Sequence, residues 1–385
     1  MGARQVFLFD LDGVLVAETG YRLAVQATFR DFMRQWGWNL PAPDQPLMAL
    51  YESHGIGSEW DMLPMMLLAV WEGWAAQHGP PPEDAGARAL PPPPPPDYHT
   101  PLRRLAPHLR SGAYPADVAW ERQQDPATAA FPHVGTAALA RRLLTHSRDV
   151  RRNPVTRRFQ ERVLGSQAFQ ATYGLPAAEE TASLLRAHDR GLLAPAARAW
   201  LQKAMAQGAL AAAAYTARPS HPPREIGPLP GYAPEAEMGL AAAGLPHLPH
   251  IAHGHLDYVR RRCGLPAEQA LLKPAPFHAL AALFAALEGH EWPALQRAAR
   301  WLKGDPAALH GLPRLRVYGF EDNISGLQGF RAAADVLRAA GVEVALHFVG
   351  IAAEENKKAA LQTAGATVFP NINDALRAIA PGIAD

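Results

Sequence analysis

Residues 5–16, near the start of this 385-residue chain, most constrain what it can fold into. The run at 6–9 is short and apolar with no helical period, which is typical of a buried strand in a parallel sheet. Asp10 and Asp12 follow directly, and then Gly13, a residue that tolerates a sharp change of chain direction. An extended chain places both carboxylates on the same side, where like charges repel unless a cation or a shared proton relieves them. The segment therefore predicts a functional site at the end of a buried strand.

A strand–helix alternation after residue 209 predicts the rest of a sheet. Four segments have the short apolar pattern of buried strands: 210–216, 315–319, 342–349 and 366–369. A further strand is predicted at 250–254, and helices are predicted at 324–340 and 353–363. Such alternation indicates an α/β fold with a doubly wound parallel sheet. We expect the strand at 6–9 to join this sheet, so that residues 1–16 and 206–385 form the core domain.

Residues 17–205 are predicted to form a mainly helical module inserted after the first strand. Helical spacing of apolar residues occurs in six segments: 21–36, 64–78, 131–147, 154–173, 177–188 and 194–207. The Pro-rich loops, at about 79–107, contain a run of prolines at 91–96 that must be extended. We interpret this run as a surface wrap or spacer and keep a ligand for a proline-reading domain as the alternative. The tryptophans of the module indicate a core more than a sugar-stacking platform; they are Trp36, Trp38, Trp60, Trp71 and Trp74.

Composition excludes several classes of function. The 37 basic residues nearly balance the 36 acidic ones, so no net field predicts a nucleic-acid or membrane partner. The single cysteine, Cys263, excludes an internal disulfide and agrees with a reducing compartment. The apolar stretches are too short to span a bilayer, and the start of the chain has no signal-peptide pattern. We therefore expect a soluble cytoplasmic protein, of an oligomeric state that the sequence does not specify.

Polar residues are predicted to follow the ends of several strands. Thr216 ends the strand at 210–216, and Glu321 and Asp322 follow the strand at 315–319. Lys273 comes just before a helix predicted at 276–287. Because ligands of an open parallel sheet bind outside the carboxyl ends of its strands, these groups should meet the two aspartates of the first strand. Carboxylates, a hydroxyl and an ammonium together suit phosphoryl transfer.

In this order and spacing, the segments resemble the four motifs of the haloacid dehalogenase (HAD) superfamily of phosphotransferases. The matching residues are Phe9-Asp-Leu-Asp-Gly-Val-Leu15, Thr216, Lys273-Pro-Ala-Pro276 and Phe320-Glu-Asp-Asn-Ile-Ser-Gly-Leu327. The tail, from residue 349 to residue 376, resembles the β-phosphoglucomutase-like branch. The resemblance covers roughly residues 4–16 and 208–380 and implies a HAD-like Rossmannoid core. Residues 17–205 then resemble an enlarged C1-type cap, which in this family closes over the site and influences the choice of substrate.

The resemblance also implies catalytic roles. Asp10 would be the nucleophile that forms an aspartyl-phosphate. Asp12 would protonate the leaving oxygen and then deprotonate the attacking water. Thr216 would hydrogen-bond a phosphate oxygen, and Lys273 would neutralise the nucleophile and the phosphoryl group.

The same resemblance implies a Mg²⁺ cofactor, a hard cation that favours oxygen ligands. Its protein ligands would be Asp10, the backbone carbonyl of Asp12, Glu321 and Asp322. Two arginines are further candidates for contact with an anionic group of the substrate. Arg22 lies early in the first helix of the cap, and Arg218 follows Thr216 by two residues.

Residue identities then favour one reaction of the superfamily. Asp12 argues against dehalogenases, which lack an acid at that position, and the cap offers only Lys203 as a Schiff-base lysine for a phosphonatase. Ala17 and Arg22 stand where mutases of the β-phosphoglucomutase type keep Asp and His. We expect a Mg²⁺-dependent phosphatase that acts on a small phosphorylated metabolite. A phosphomutase, a lyase or cyclase acting on a diphosphate, and a non-catalytic HAD-fold binding protein stay open as alternatives.

Four histidines lie close together in the sequence, near the strand predicted at 250–254. They are His247, His250, His253 and His255. Their spacing matches no zinc-binding pattern. We expect an ordinary strand at this place and no metal site.

Overall fold

The structure, a computed structural model, describes residues 3–83, 90–110 and 113–380. Residues 84–89 of the predicted Pro-rich segment therefore lie outside the described residues. The chain divides into two compact units. The first comprises Met1–Glu18 and His188–Asp385, and the second comprises Thr19–Ala187.

The division differs from our predicted domain boundaries at one end. Residues 188–205, which we assigned to the helical module, belong to the first unit. A helix at Pro195–Ala206 accounts for the difference. Its residues Ala197 and Leu201 are buried in the same apolar cluster as Phe7 of the first strand.

The described residues contain eight strands: β1 (Arg4–Phe9), β2 (Val16–Ala17), β3 (Arg190–Gly191), β4 (Ala211–Tyr215), β5 (His250–Ile251), β6 (Leu315–Glu321), β7 (Val344–Ile351) and β8 (Thr367–Phe369). Six of them form one sheet in the order β5-β4-β1-β6-β7-β8. Every neighbouring pair in this sheet is parallel. The doubly wound parallel sheet that the sequence predicts is confirmed.

The register of the central strands brings their carboxyl ends to one edge. Phe9 of β1 lies opposite Ala214 of β4 and Phe320 of β6. The residues that follow these positions therefore leave the sheet side by side. β2 and β3 form a separate antiparallel pair, in which Val16 faces Gly191.

The second unit is helical. Its helices are α1 (Thr19–Gln35), α2 (Gln45–Ser53), α3 (Glu59–His78), α4 (His99–Leu105), α5 (Pro115–Gln123), α6 (Ala138–Leu144), α7 (Pro154–Leu164), α8 (Ser166–Tyr173) and α9 (Leu184–His188), the last of which ends at the boundary of the unit. The helix predicted at 154–173 is wrong in one respect, because it is divided at Gly165. Gly165 has a φ of +77°, and a Cβ there would lie 2.6 Å from the backbone nitrogen of Ser183.

Tryptophans form part of the core of the second unit, as predicted. Trp36, Trp38, Trp71 and Trp74 are buried, whereas Trp60 is only partly buried. The rings of Trp36 and Trp71 lie 5.3 Å apart. The indole nitrogens of Trp38 and Trp74 both donate hydrogen bonds to the backbone oxygen of Pro91, at 3.1 and 3.2 Å. The start of the proline run thus packs against this core, which supports its interpretation as a wrap.

Helices of the first unit cover both faces of the sheet. They are α10 (Pro195–Ala206), α11 (Glu235–Ala242), α12 (His253–Cys263), α13 (Pro276–Glu288), α14 (Glu291–Leu302), α15 (Ile324–Ala339), α16 (Glu355–Thr363) and α17 (Ile372–Ile379). Successive side chains of β1 point to opposite faces. Val6 and Leu8 join the core that contains α13, whereas Phe7 and Phe9 join the core that contains α10. Across the described ranges, no helix has both the length and the apolar character needed to cross a membrane.

A glycine in the centre of β6 provides a test of this packing. A Cβ on Gly319 would lie 2.3 Å from the ring of Phe330 on α15. We expect Gly319→Ala to lower the free energy of unfolding by about 2 kcal/mol because the ring must move. Gly57→Ala is the control, since a Cβ there meets no atom within 4 Å, and it should change stability by less than about 0.5 kcal/mol. Chemical denaturation of the two variants measures the difference, and equal stabilities would contradict the described packing of α15.

Candidate active site

The turn after β1 presents two carboxylates at the edge of the sheet. The backbone N–H of Asp10 donates to the oxygen of Phe320 at 2.9 Å, which ties it to β6. The N–H of Leu11 donates to Oδ1 of Asp10 at 2.8 Å. Gly13 turns the chain with a φ of +71°, and a Cβ on it would lie 2.3 Å from Oδ2 of Asp322. The turn therefore needs glycine both for its backbone conformation and for its close approach to the next acidic group.

Three carboxylates meet at this edge. One oxygen from each of Asp10, Glu321 and Asp322 lies within 4.8 Å of the others. Burial raises the pKa of Asp10, and the negative charges of Asp322 and Asp12 add to that effect while Lys273 opposes it. Burial also raises the pKa of Glu321 strongly, and the charge of Asp10 adds to it. Crowded carboxylates of this kind form a site that can hold a metal cation.

Lys273 lies between two of these carboxylates. Its Nζ is 2.9 Å from Oδ2 of Asp10 and 3.0 Å from Oε1 of Glu321. The same atom lies 4.9 Å from the centre of the Tyr215 ring. Although burial opposes it, the charges of Asp10 and Glu321 raise the pKa of Lys273, so the side chain is an ammonium that offsets part of the negative charge.

Thr216 directly follows β4, the other neighbour of β1. It is buried, and its backbone N–H donates to the oxygen of Ile251 at 3.1 Å. Its Oγ1 accepts a hydrogen bond from the backbone N–H of Arg218 at 3.2 Å. The hydroxyl is thus held at the same edge of the sheet as Asp10.

Arg218 binds Asp12. Its Nε lies 3.0 and 2.9 Å from the two carboxylate oxygens of Asp12. Its Nη2 lies 2.9 Å from Oδ2 of Asp189, and its Nη1 donates to the backbone oxygen of Glu235 at 3.3 Å. The side chain of Arg218 is only 2% exposed. Our prediction that it contacts substrate is therefore corrected, because its guanidinium is committed to protein carboxylates and a carbonyl.

Two charged residues near the site were not predicted. Asp189 lies just after α9, in a stretch with no motif, and only the fold brings it to Arg218. Lys357 of α16 contacts Oδ2 of Asp322 through its Nζ. Nothing in the sequence shows that Lys357 contacts the site while its neighbour Lys358 pairs with Glu355.

The structure brings six of the predicted site residues to one edge of the sheet. Asp10, Lys273, Glu321 and Asp322 are in contact or close to one another, and Asp12 and Thr216 lie at the same edge of the sheet. Arg22 is different, because it lies on α1 in the second unit and is partly buried there. Its contact with substrate stays a prediction.

Comparisons with known proteins bear on the fold. No family model and no curated protein matches the chain. A solved structure described as Northeast Structural Genomics Consortium target ZR25 is 14% identical, with a TM-score of 0.62 over 97% of each chain. Phosphatase Tt82 from Thermococcus thioreducens is also 14% identical, covers 93% of this chain and 99% of its own, and has a TM-score of 0.47.

The likeness to target ZR25 shows that the fold is shared over nearly the whole chain, and no more than the fold at this identity. The likeness to phosphatase Tt82 has a lower TM-score and supports no conclusion about fold or function. The strand order itself, with a helical unit inserted in the sequence between β2 and β3, agrees with the HAD-like core that the four motifs imply.

The buried contact of Arg218 with Asp189 gives a prediction about stability. Asp189→Asn removes a charge from a pair whose side chains are each 2% exposed. We expect the free energy of unfolding to fall by about 2 kcal/mol, because a neutral amide binds the buried guanidinium less strongly and leaves Asp12 as a charged partner. Asp335→Asn is the matched control, since Asp335 pairs with Arg338 on the surface, and it should cost less than about 1 kcal/mol. Urea denaturation compares the two, and a loss no larger in Asp189→Asn than in the control would contradict the described pair.

Proposed function

We propose that this protein is a Mg²⁺-dependent phosphatase of the HAD type that hydrolyses a small phosphorylated metabolite through an aspartyl-phosphate on Asp10. The observation that carries the proposal is the position of Asp10. It is buried at the end of the central strand, 2.9 Å from the ammonium of Lys273 and within a cluster of carboxylates. A second acid, Asp12, follows two residues later at the same edge.

The first half of the proposed reaction transfers the phosphoryl group to Asp10. One oxygen of Asp10 attacks phosphorus, the bond from phosphorus to the ester oxygen breaks, and Asp12 gives its proton to the leaving alcohol. Lys273 binds the nucleophile and offsets the charge of the phosphoryl oxygens. The hydroxyl of Thr216 donates a hydrogen bond to one of those oxygens.

The second half releases phosphate. Asp12, now a carboxylate, takes a proton from water, and the water oxygen attacks phosphorus. The bond from Asp10 to phosphorus then breaks, which regenerates the Asp10 carboxylate and leaves Asp12 protonated for the next turnover. Arg218 binds both oxygens of Asp12, so we assign it the role of orienting this carboxylate, with Asp189 fixing the guanidinium in turn.

The acidic cluster fits a hard cation. Asp10, Glu321 and Asp322 supply only oxygen ligands, and burial together with mutual repulsion raises the pKa of the first two. The HAD resemblance adds the backbone carbonyl of Asp12. Oxygen-only sites of this kind favour Mg²⁺, which keeps several water ligands. When bound, Mg²⁺ would neutralise charge on the carboxylates and on the phosphate oxygens.

Phosphatase activity should depend on both Asp10 and Mg²⁺. We expect the purified chain to hydrolyse an aryl phosphate in the presence of Mg²⁺ and to lose that activity with a chelator. Asp10→Asn should lower kcat by more than about 1,000-fold, because it removes the nucleophile. Asp335→Asn, a surface carboxylate on α15, should keep full activity. Full activity in Asp10→Asn, or no turnover of any phosphate ester in a broad panel, would contradict the proposal, and the second result would favour a non-catalytic binding protein.

Substitution of Asp10 and substitution of Asp12 should block different steps of the reaction. An aryl phosphate has a good leaving group that needs little protonation, so Asp12→Asn should still transfer the phosphoryl group to Asp10. Hydrolysis of the intermediate needs a base to activate water, so the phosphoenzyme should accumulate. Acid-quenched protein analysed by mass spectrometry should carry one phosphoryl group in Asp12→Asn and none in the Asp10→Asn, Asp12→Asn double variant. Equal labelling of these two proteins would rule out Asp10 as the nucleophile.

A further inference from the structure

A second group of potential metal ligands lies in the sheet unit, on residues that the proposed reaction does not use. Glu237 of α11, His250 of β5 and His255 in the first turn of α12 each bring one ligand atom within 4.8 Å of the others. His250 is 1% exposed and His255 is fully buried. We call these three residues the histidine cluster.

Each residue of the histidine cluster has one buried polar atom without a hydrogen-bond partner. Nε2 of His250, Nε2 of His255 and Oε2 of Glu237 are buried and form no hydrogen bond with the described part of the chain. Nε2 of His250 lies 3.6 Å from Oε1 of Glu237, and Nε2 of His255 lies 3.7 Å from Oε2 of Glu291. Both distances exceed those of real hydrogen bonds. Buried polar atoms are almost always satisfied, so three such atoms on three neighbouring side chains indicate a bound species.

The carboxylate of Glu291 orients the ring of His250 for metal binding. Oε1 of Glu291 lies 2.9 Å from Nδ1 of His250. Glu291 is itself fixed by the backbone N–H groups of Arg224, at 2.9 Å, and of His250, at 3.1 Å. A carboxylate that accepts the Nδ1 proton holds the ring in the tautomer whose Nε2 can bind a metal. Metal-binding histidines commonly have this support.

We propose that Glu237, His250 and His255 bind a transition-metal dication, with Zn²⁺ as the best match. Two imidazole nitrogens and one carboxylate are a ligand set that Zn²⁺ uses in proteins. Imidazole suits Zn²⁺ and its neighbours in the first transition row, whereas Mg²⁺ requires oxygen ligands. The histidine cluster and the acidic cluster at Asp10 would therefore select different metals.

The position of the histidine cluster indicates a structural role. The backbone N–H of His221 donates to Oε1 of Glu237 at 3.0 Å, and the N–H of His253 donates to the oxygen of Arg218 at 3.0 Å. The cluster thus lies against the segment that carries Arg218. A bound ion would fasten α11, β5 and α12 to one another beneath that segment.

Two features of the structure oppose ion binding and shape the test. The backbone N–H of Ala252 approaches Nδ1 of His255 at 3.3 Å, a long contact that binding at Nε2 would break. Although burial opposes it, Glu237 and Glu291 raise the pKa of His250 to about 9, so the ion must displace a proton. Metal affinity should consequently fall as the pH is lowered.

The test is zinc binding by the full chain in excess Mg²⁺, which occupies the acidic cluster. Titration against a chromogenic chelator should show one Zn²⁺ per chain, and the melting temperature should rise on binding. His255→Ala should lose this uptake. His247→Ala, an exposed histidine on the adjacent segment, should retain it.

Glu237→Gln is a second variant that keeps the shape of the side chain and guards against misfolding of His255→Ala. It should weaken zinc binding at least tenfold while its circular dichroism spectrum stays that of the parent. No zinc uptake by the parent chain would overturn the proposal and leave a proton or water in the cluster. Equal uptake by the parent and by both variants would also overturn it, because the ion would then lie elsewhere.

Discussion

The contact between the ammonium of Lys273 and the carboxylates of Asp10 and Glu321 is the interaction on which the site depends. Burying charged groups costs several kcal/mol per ion, and apolar replacements of buried ion pairs are often equally stable or more so. Here one ammonium faces two carboxylates, with Asp322 close by. Stability gives no reason to keep such an excess of negative charge at a sheet edge. The proposed reaction explains the arrangement, because it needs a nucleophile, a cation and an electrostatic partner for phosphate.

The sheet assembles these groups through strand register. β1 is flanked by β4 and β6, and the three strands end level with one another. Asp10, Thr216 and Glu321 therefore lie side by side although they are far apart in the chain. The apolar faces of β1 fix this register, because a slip of one residue would exchange Val6 and Leu8 with Phe7 and Phe9 between two different cores.

The sequence permitted prediction of the sheet and of the residues at its edge, because short apolar runs followed by polar residues are local patterns. It could not show what each side chain binds. Arg218 was a reasonable candidate for substrate contact until its guanidinium was placed on Asp12 and Asp189. The histidine cluster could not be predicted for the same reason, because its contacts join distant parts of the chain. Glu237 comes from a helix outside the histidine-rich segment, and Glu291 comes from a more distant one. Helix limits were also missed where tertiary contacts decide them, as at Gly165.

The central claim is that Asp10 bonds covalently to phosphorus beside a cation held by the acidic cluster. The most direct measurement is a crystal structure of the chain with Mg²⁺ and beryllium fluoride, a mimic of the phosphoryl group on a carboxylate. The account predicts beryllium bonded to a carboxylate oxygen of Asp10, within reach of Lys273 and Thr216, with Mg²⁺ at the cluster of Asp10, Glu321 and Asp322. A fluoride complex bound away from Asp10, or Mg²⁺ bound at a different place, would contradict it.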